Sequence, residues 1–168
     1  MTIQLNNRQS LTVYHGSDVM VKKPELRQST RALDFGGGFY TTTNRQQAVN
    51  FAKKVRARQK TNQSYVSVYT VDTVRLIADL KIKVFHRADE EWLDFVAAHR
   101  RNAYTGGNFD VVYGPVANDT IFKTFIAYEN GVLTKAETLS RLKIRKLYNQ
   151  LVFASAPALK YLTFSGTL

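Results

Sequence analysis

The segment from Asp34 to Thr42, DFGGGFYTT, places the strongest constraint on how this chain can fold. Three successive glycines interrupt any helix, and they lead into an aromatic pair and a threonine run, which are typical of a strand. A doubly wound dinucleotide-binding fold instead needs its glycines to follow a strand and open a helix. Such glycines let a backbone approach a ligand closely, and the aromatic after them could stack on a flat ring. A glycine-rich turn leading into a core strand is the alternative interpretation.

The patterns around this segment mix strands and helices without a repeating strand–helix–strand unit, which predicts an α+β fold. Strands are expected where apolar and polar residues alternate or where valine and tyrosine are frequent. These segments are 11–15, 64–71, 80–84, 109–113, 151–153 and 159–164. Helices are expected over 44–58, over 89–101, from 118 or 119 to 130, and after 134. Residues 18–33 lack periodicity and are expected to form a long loop or a short irregular helix.

Capping residues mark where several of these helices begin. Asn44 precedes the first helix, and Thr134 with Glu137 three residues later has the pattern of a capping box. In the helix over 89–101 the buried face is predicted to carry three large apolar residues: Trp92, Phe95 and Val96.

The composition predicts one folded domain over 1–168, with a polar and loose segment at residues 1–10. Of the residues, 44% are hydrophobic, so a core can form without disulfides. The chain has no cysteine, and His86 and His99 lack metal-ligand spacing, so we expect no metal site. No stretch resembles a signal peptide or a membrane span. We therefore expect a cytoplasmic protein without membrane association, unless a specialised export route delivers it to another cell.

The net charge of +11 favours phosphate-rich or acidic partners, which include nucleic acid, an acidic protein and a dinucleotide. The densest basic stretch comprises Lys53, Lys54, Arg56, Arg58 and Lys60. Its simplest interpretation is the solvated face of a helix, and a groove for RNA or for an acidic partner is the alternative.

Three segments carry the chemistry: YHGS at 14–17, FGGGFYTTTNRQQAVNF at 35–51, and QLVF at 150–153 followed by ALKYL at 158–162. Each is ordinary by itself. In this order and spacing they resemble the ADP-ribosyltransferase superfamily, in its diphtheria-toxin and poly(ADP-ribose) polymerase-like branch, over residues 13–164. The DFGGGFYTT segment and GPVAND at 114–119 are also similar to a bacterial group discussed as toxin–antitoxin components.

The resemblance implies two small mixed sheets packed together with flanking helices, and NAD as the co-substrate. The positions that would contact NAD are His15, Gly16, Ser17, Gly38, Tyr40 and Phe51. In that likeness His15 hydrogen-bonds the adenine-side ribose, and Gly16 reads the nicotinamide carboxamide with support from Ser17. Tyr40 stacks on the nicotinamide ring, and Phe51 holds its other edge.

Gln150 departs from the family pattern, because the family has a catalytic glutamate at this position. Losing one charge aimed at a transition state costs about 3 kcal/mol, or roughly a hundredfold in rate. Either the enzyme is slow, or another carboxylate replaces the glutamate, or NAD binds without turnover. The best replacement is Asp119, whose alternative role is a helix cap, and Asp110 is a weaker choice. The catalytic set is therefore predicted to be His15, Tyr40, Gln150 and Asp119.

The favoured hypothesis is a mono-ADP-ribosyltransferase that moves ADP-ribose from NAD to a protein or nucleic acid, as a bacterial toxin with a neutralising antitoxin. Two alternatives remain open. One is a catalytically weak or inactive module that binds NAD or ADP-ribose. The other is a basic nucleic-acid-binding domain that keeps only the fold and binds in a salt-sensitive way.

Overall fold

The computed structural model describes residues 10–26, 33–116, 119–143 and 147–168, and it leaves the side chains of 119–122 undescribed. The strands within these residues are β1 (Leu11–Ser17), β2 (Phe39–Thr42), β3 (Tyr65–Val71), β4 (Ile82–Val84), β5 (Val111–Pro115), β6 (Asn149–Phe153) and β7 (Leu162–Thr167). The helices are α1 (Arg45–Gln59), α2 (Thr73–Asp79), α3 (Glu90–Arg100), α4 (Asp119–Glu129), α5 (Lys135–Lys143) and α6 (Ala156–Leu159). The α+β class predicted from the sequence is confirmed. The expected loose segment at 1–10 lies outside the described residues apart from its last position, and so does 27–32 of the expected loop.

In the described part of the chain the seven strands form one sheet, in the order β4-β5-β6-β2-β1-β3-β7. The strands β4 and β5 run parallel, and the other neighbours run antiparallel. The expectation of two packed sheets is therefore wrong. The reason is that β2 pairs with β6 along its whole length and with β1 where Tyr14 faces Thr42, so it joins the two groups of strands.

The local signals predicted at the starts of α1 and α5 are confirmed. The side chain of Asn44 accepts a hydrogen bond from the amide of Gln47 at 2.8 Å and caps α1. At α5 the carboxylate of Glu137 accepts from the amide of Thr134 at 2.8 Å, and the Thr134 hydroxyl accepts from the amide of Glu137 at 3.2 Å. This is the reciprocal arrangement of a capping box.

Two short helices were not expected from the sequence. Asp72 caps α2, a helix of seven residues in which β-branched side chains obscure the helical period. Ser155 caps α6, where proline lies in the first turn and suits a helix start. Because α6 occupies Ala156–Leu159, the last strand begins at Leu162 and not at 159.

The sheet has a different core on each face. On one face the core includes Val13, Phe39, Tyr69, Leu151 and Phe153. On the other, α3, α4 and α5 cover a core that includes the predicted residues Trp92, Phe95 and Val96. Because successive strand residues point to opposite faces, β2 sends Phe39 to the first core and Tyr40 to the second.

Candidate functional site

The three central strands β1, β2 and β6 carry three of the four residues predicted to be catalytic: His15, Tyr40 and Gln150. Across the sheet Tyr14, Thr42 and Gln150 lie at one level, because Tyr14 faces Thr42 and Thr42 faces Gln150. Strand alternation then places Tyr40 and Gln150 on the same face of the sheet and His15 on the opposite one. The fold therefore makes the three residues neighbours in the strand order, and it pairs two of them on one face.

His15 is tied to β2 by its side chain. Its Nδ1 lies 2.7 Å from the carbonyl oxygen of Tyr40, and its ring stacks on Phe39 with the centroids 4.3 Å apart. A carbonyl oxygen only accepts, so Nδ1 carries a proton, and in the neutral ring Nε2 is the acceptor nitrogen. This tautomer suits the predicted role, which is to accept a hydrogen bond from a ribose hydroxyl.

Tyr40 is held by the glycine-rich segment that precedes it. Its hydroxyl donates to the carbonyl oxygen of Gly36 at 2.6 Å and accepts from the amide of Phe35 at 3.1 Å. Burial raises the pKa of the phenol far above its usual value, the hydrogen bond from Phe35 opposes that shift, and the charge of Asp34 adds to it. The ring is therefore neutral and fixed in orientation, as a stacking surface should be.

Two of the predicted glycines have packing reasons of their own. A Cβ on Gly16 would lie 2.3 Å from the carbonyl oxygen of Ala48, so only glycine lets α1 pack this closely on β1. Gly38 has a φ of +153°, and a Cβ there would lie 2.8 Å from the carbonyl oxygen of Phe153. Both glycines are required by the fold whether or not NAD binds beside them.

Ser17 and Phe51 lie in more open surroundings. The Ser17 hydroxyl donates to Asp18 at 3.3 Å, which is a contact local to the turn after β1. The side chain of Phe51 is 49% exposed on α1, whereas Tyr40 packs against the second core. Phe51 is therefore accessible to a ligand, but it shares no core with Tyr40.

Gln150 meets a carboxylate that the sequence did not single out. Its side-chain Nε2 lies 3.5 Å from Oδ2 of Asp34, and the Oδ1 of Asp34 lies 3.5 Å from Nη1 of Arg100. The guanidinium of Arg100 also sits 4.7 Å above the ring centroid of Phe125. We call Asp34, Tyr40, Arg100 and Gln150 the Asp34 cluster. It was missed because Asp34 and Arg100 are far apart in sequence and Asp34 was considered only as part of the glycine segment.

Of the two carboxylates proposed from the sequence, one lies outside the described side chains and the other lies away from this cluster. The side chain of Asp119 lies outside the described residues, as does Asn118, so the catalytic and capping roles of Asp119 both stay predictions. Asp110 precedes β5, while Gly114 is the residue of β5 that faces Gln150. Four residues of strand separate the two positions by about 13 Å.

Asp110 instead connects the start of β5 to its neighbours. It accepts hydrogen bonds from the Ser155 hydroxyl at 2.6 Å and from the Lys81 amide at 3.0 Å. These two bonds lower the pKa of the carboxyl, the Ser155 bond most. Its role is therefore to hold α6 and the edge strand β4 onto β5.

Two cavities are lined by residues next in sequence to members of the Asp34 cluster, but not by the cluster itself. One, of about 500 Å³, is lined by residues that include His86, Arg87, Lys143 and Asn149, the neighbour of Gln150. The other, of about 610 Å³, is lined by residues that include Gly36, Gly37, His99 and Tyr104. The predicted NAD contacts line neither of these two cavities.

His99 is committed to packing at the second cavity. Its Nδ1 lies 2.9 Å from the carbonyl oxygen of Phe95, its ring stacks on Tyr104, and burial lowers its pKa. Among the described residues no group of three or more histidine, aspartate and glutamate side chains could hold a metal ion. None of the described helices combines the length and apolar character that a membrane crossing requires.

The dense basic stretch lies on the solvent-exposed side of a helix, as its simplest interpretation predicted. Lys53, Lys54, Arg56, Arg58 and Lys60 are exposed, on α1 and at its C-cap. The buried residues of this helix are Ala48, Ala52 and Val55. The basic residues therefore form a solvated face.

Comparison with curated proteins and with solved structures finds no match. The profile of one family, described as proteins of unknown function (DUF3990), matches residues 11–164. The matched region begins with the first residue of β1 and ends within β7. It therefore contains all the strands and helices described above except the end of β7. The chain therefore belongs to the DUF3990 family.

Proposed function

We propose that this protein is an NAD-dependent mono-ADP-ribosyltransferase that modifies a protein or nucleic acid and is the toxin of a toxin–antitoxin pair. One observation carries the proposal: β1, β2 and β6 lie side by side at the centre of the sheet. His15, Tyr40 and Gln150 are far apart in sequence and yet belong to these neighbouring strands. The motifs that resemble the ADP-ribosyltransferases thus converge in the fold.

The bond between His15 and the Tyr40 carbonyl supports a site between β1 and β2. Here the side chain of His15 on β1 donates a hydrogen bond to the backbone carbonyl of Tyr40 on β2. The ladder between these strands places Tyr14 opposite Thr42, next to the imidazole. The nicotinamide end of NAD would lie beside this junction.

In the proposed reaction the bond between the ribose C1′ and the nicotinamide nitrogen breaks, and nicotinamide leaves as a neutral ring with the electron pair. A nucleophilic atom of the acceptor then forms a bond to C1′ and gives up its proton to solvent or a base. The contribution of the protein is to hold the ribose and the ring in the reactive geometry. In this proposal His15 Nε2 is the acceptor for a hydroxyl of the adenine-side ribose, the side-chain oxygen of Gln150 is the acceptor for a hydroxyl of the reacting ribose, and the rigid Tyr40 ring orients nicotinamide.

The test is NAD binding by calorimetry together with nicotinamide release in the presence of cell fractions that supply the acceptor. We expect the wild-type protein to bind NAD and release nicotinamide, and His15→Ala to lose at least about tenfold in release, since one hydrogen bond to the ribose is lost. His86→Ala is the matched control, because His86 is exposed and lines a cavity that contains none of the predicted NAD contacts. A wild-type protein that neither binds NAD nor releases nicotinamide would refute the proposal.

A non-catalytic NAD- or ADP-ribose-binding module is the second candidate. It is favoured by Gln150, which has no charge and is only 6% exposed. This function predicts that the protein binds NAD but releases no nicotinamide from it, whichever cell fraction is added.

A basic nucleic-acid-binding domain is the third candidate, favoured by the exposed basic face of α1. It predicts binding to RNA or DNA that weakens steeply with salt, together with no affinity for NAD. The calorimetric titration with NAD therefore separates it from the first two candidates.

A further inference from the structure

We propose that Asp34 is the positioning carboxylate of this site: it orients the amide of Gln150 and supplies the negative charge that Gln150 lacks. The inference rests on the proposed function, because it concerns the same ribose-binding end of the site. It assigns to a residue of the glycine-rich segment the part that the sequence assigned to Asp119.

The orientation of the Gln150 amide follows from its partner. A carboxylate only accepts hydrogen bonds, so the amide group must turn its nitrogen toward Asp34. The distance from Nε2 to Oδ2 is 3.5 Å, which is long, as catalytic hydrogen bonds often are before a substrate binds. With the nitrogen held on that side, the amide oxygen points away from Asp34 and is presented as an acceptor.

The charge of Asp34 is held in place from the other side. Its Oδ1 faces Arg100, and its Oδ2 faces Gln150, so the two partners lie on different sides of the carboxylate. The side chains of Asp34 and Arg100 are only 16% and 11% exposed. Arg100 therefore pairs with one oxygen of Asp34 in a largely buried environment, while the other oxygen of the carboxylate lies toward Gln150.

The expected size of the effect follows from distance. The charge of Asp34 acts on the ribose through Gln150, over a distance of about 7 Å. At that distance, and in an effective dielectric of about 20, the interaction of a unit charge with the transition state corresponds to about a 50-fold change in rate. Removing this charge should lower the rate of nicotinamide release and leave KM for NAD nearly unchanged, since the charge acts on the transition state.

The experiment compares nicotinamide release by the full chain as wild type, Asp34→Asn, Gln150→Glu and the double variant. We expect Asp34→Asn to lose about 50-fold in kcat, and the double variant to recover most of it, because it returns a carboxylate to the site. The control is Asp110→Asn, which removes a hydrogen-bonded carboxylate far from Gln150 and should keep the wild-type rate. Unaltered kcat in Asp34→Asn, or a double variant no faster than Asp34→Asn, would overturn the inference.

Gln150→Glu in the wild-type background gives an answer even if Asp34→Asn does not fold, since it keeps the ion pair with Arg100. The carboxylates of Asp34 and of the new glutamate would lie side by side and could not both ionise freely. We therefore expect the rate of nicotinamide release to increase by less than about tenfold over wild type and to rise with pH above about 5. A rate of nicotinamide release about a hundredfold above wild type, without that pH dependence, would show that Asp34 does not act on the side chain at position 150. If the wild-type protein itself releases no nicotinamide, the proposed function fails and the inference falls with it, which is a different result from failure of the variants alone.

Discussion

The Asp34 cluster and the start of β5 both contain a hydrogen-bonded aspartate, but the two regions are built differently. Asp110 makes contacts of 2.6 and 3.0 Å with neutral donors at the edge of the sheet. Asp34 lies in the turn before the central strand β2, 3.5 Å from an arginine and 3.5 Å from Gln150. The short neutral contacts of Asp110 hold elements together, whereas the long contacts of Asp34 join a buried charge to the predicted catalytic position.

The comparison predicts the largest stability loss in the Asp34 cluster. Arg100→Ala should lower the free energy of unfolding by about 3 kcal/mol, because it leaves the Asp34 carboxylate buried without its ion-pair partner. Urea denaturation measures this difference. Arg87→Ala is the control, because Arg87 pairs with Asp89 at the surface and should change the value by less than about 1 kcal/mol. Equal losses in both variants would mean that the central ion pair is no different from a surface one.

A smaller loss is expected at the start of β5. Ser155→Ala removes the hydroxyl that donates to Asp110 and that caps α6, so it should cost about 1 to 2 kcal/mol in the same denaturation experiment. Nicotinamide release should be unaffected. A change in that release at unchanged stability would contradict the separation of the two regions.

The smallest effect is a pH dependence that belongs to Asp110. The pKa of its carboxyl is lowered in the folded protein, first by the Ser155 bond, from a usual value of 3.8. Its contribution to stability is therefore present above about pH 4 and is lost as the pH falls toward the lowered pKa. The melting temperature of Asp110→Asn should fall less between pH 5 and pH 3 than that of the wild type, in a range chosen to span the usual carboxyl pKa of 3.8. Parallel curves for the two proteins would show that Asp110 contributes nothing to the acid response.

Much of the fold could be predicted from the chain because the signals are local. Asn44 caps α1, and Thr134 with Glu137 caps α5, because each cap joins atoms three residues apart. The helix α2 was missed because its cap, Asp72, introduces only seven residues. The single sheet was missed because no local pattern reveals that β2 pairs with both β1 and β6.

The candidate site divides in the same way. The sequence singled out His15, Tyr40 and Gln150, and the fold brings their strands together. It could not reveal that Tyr40 is anchored to Gly36, that Gly16 makes room for α1, or that Asp34 faces Gln150. The last two facts depend on how a helix or loop packs against a distant strand, and the first depends on how the glycine-rich segment folds back on β2.

The sequence by itself determined the α+β class, the caps of α1 and α5, the buried face of α3 and the strands that carry the candidate site. Those features depend on backbone preferences and on side chains only a few residues apart. Only the tertiary structure decided that Asp34, Arg100 and Gln150 meet, and that His15 and Gln150 point to opposite faces of one sheet. The physical reason is that strand register and helix packing set such contacts, and both are properties of the whole fold.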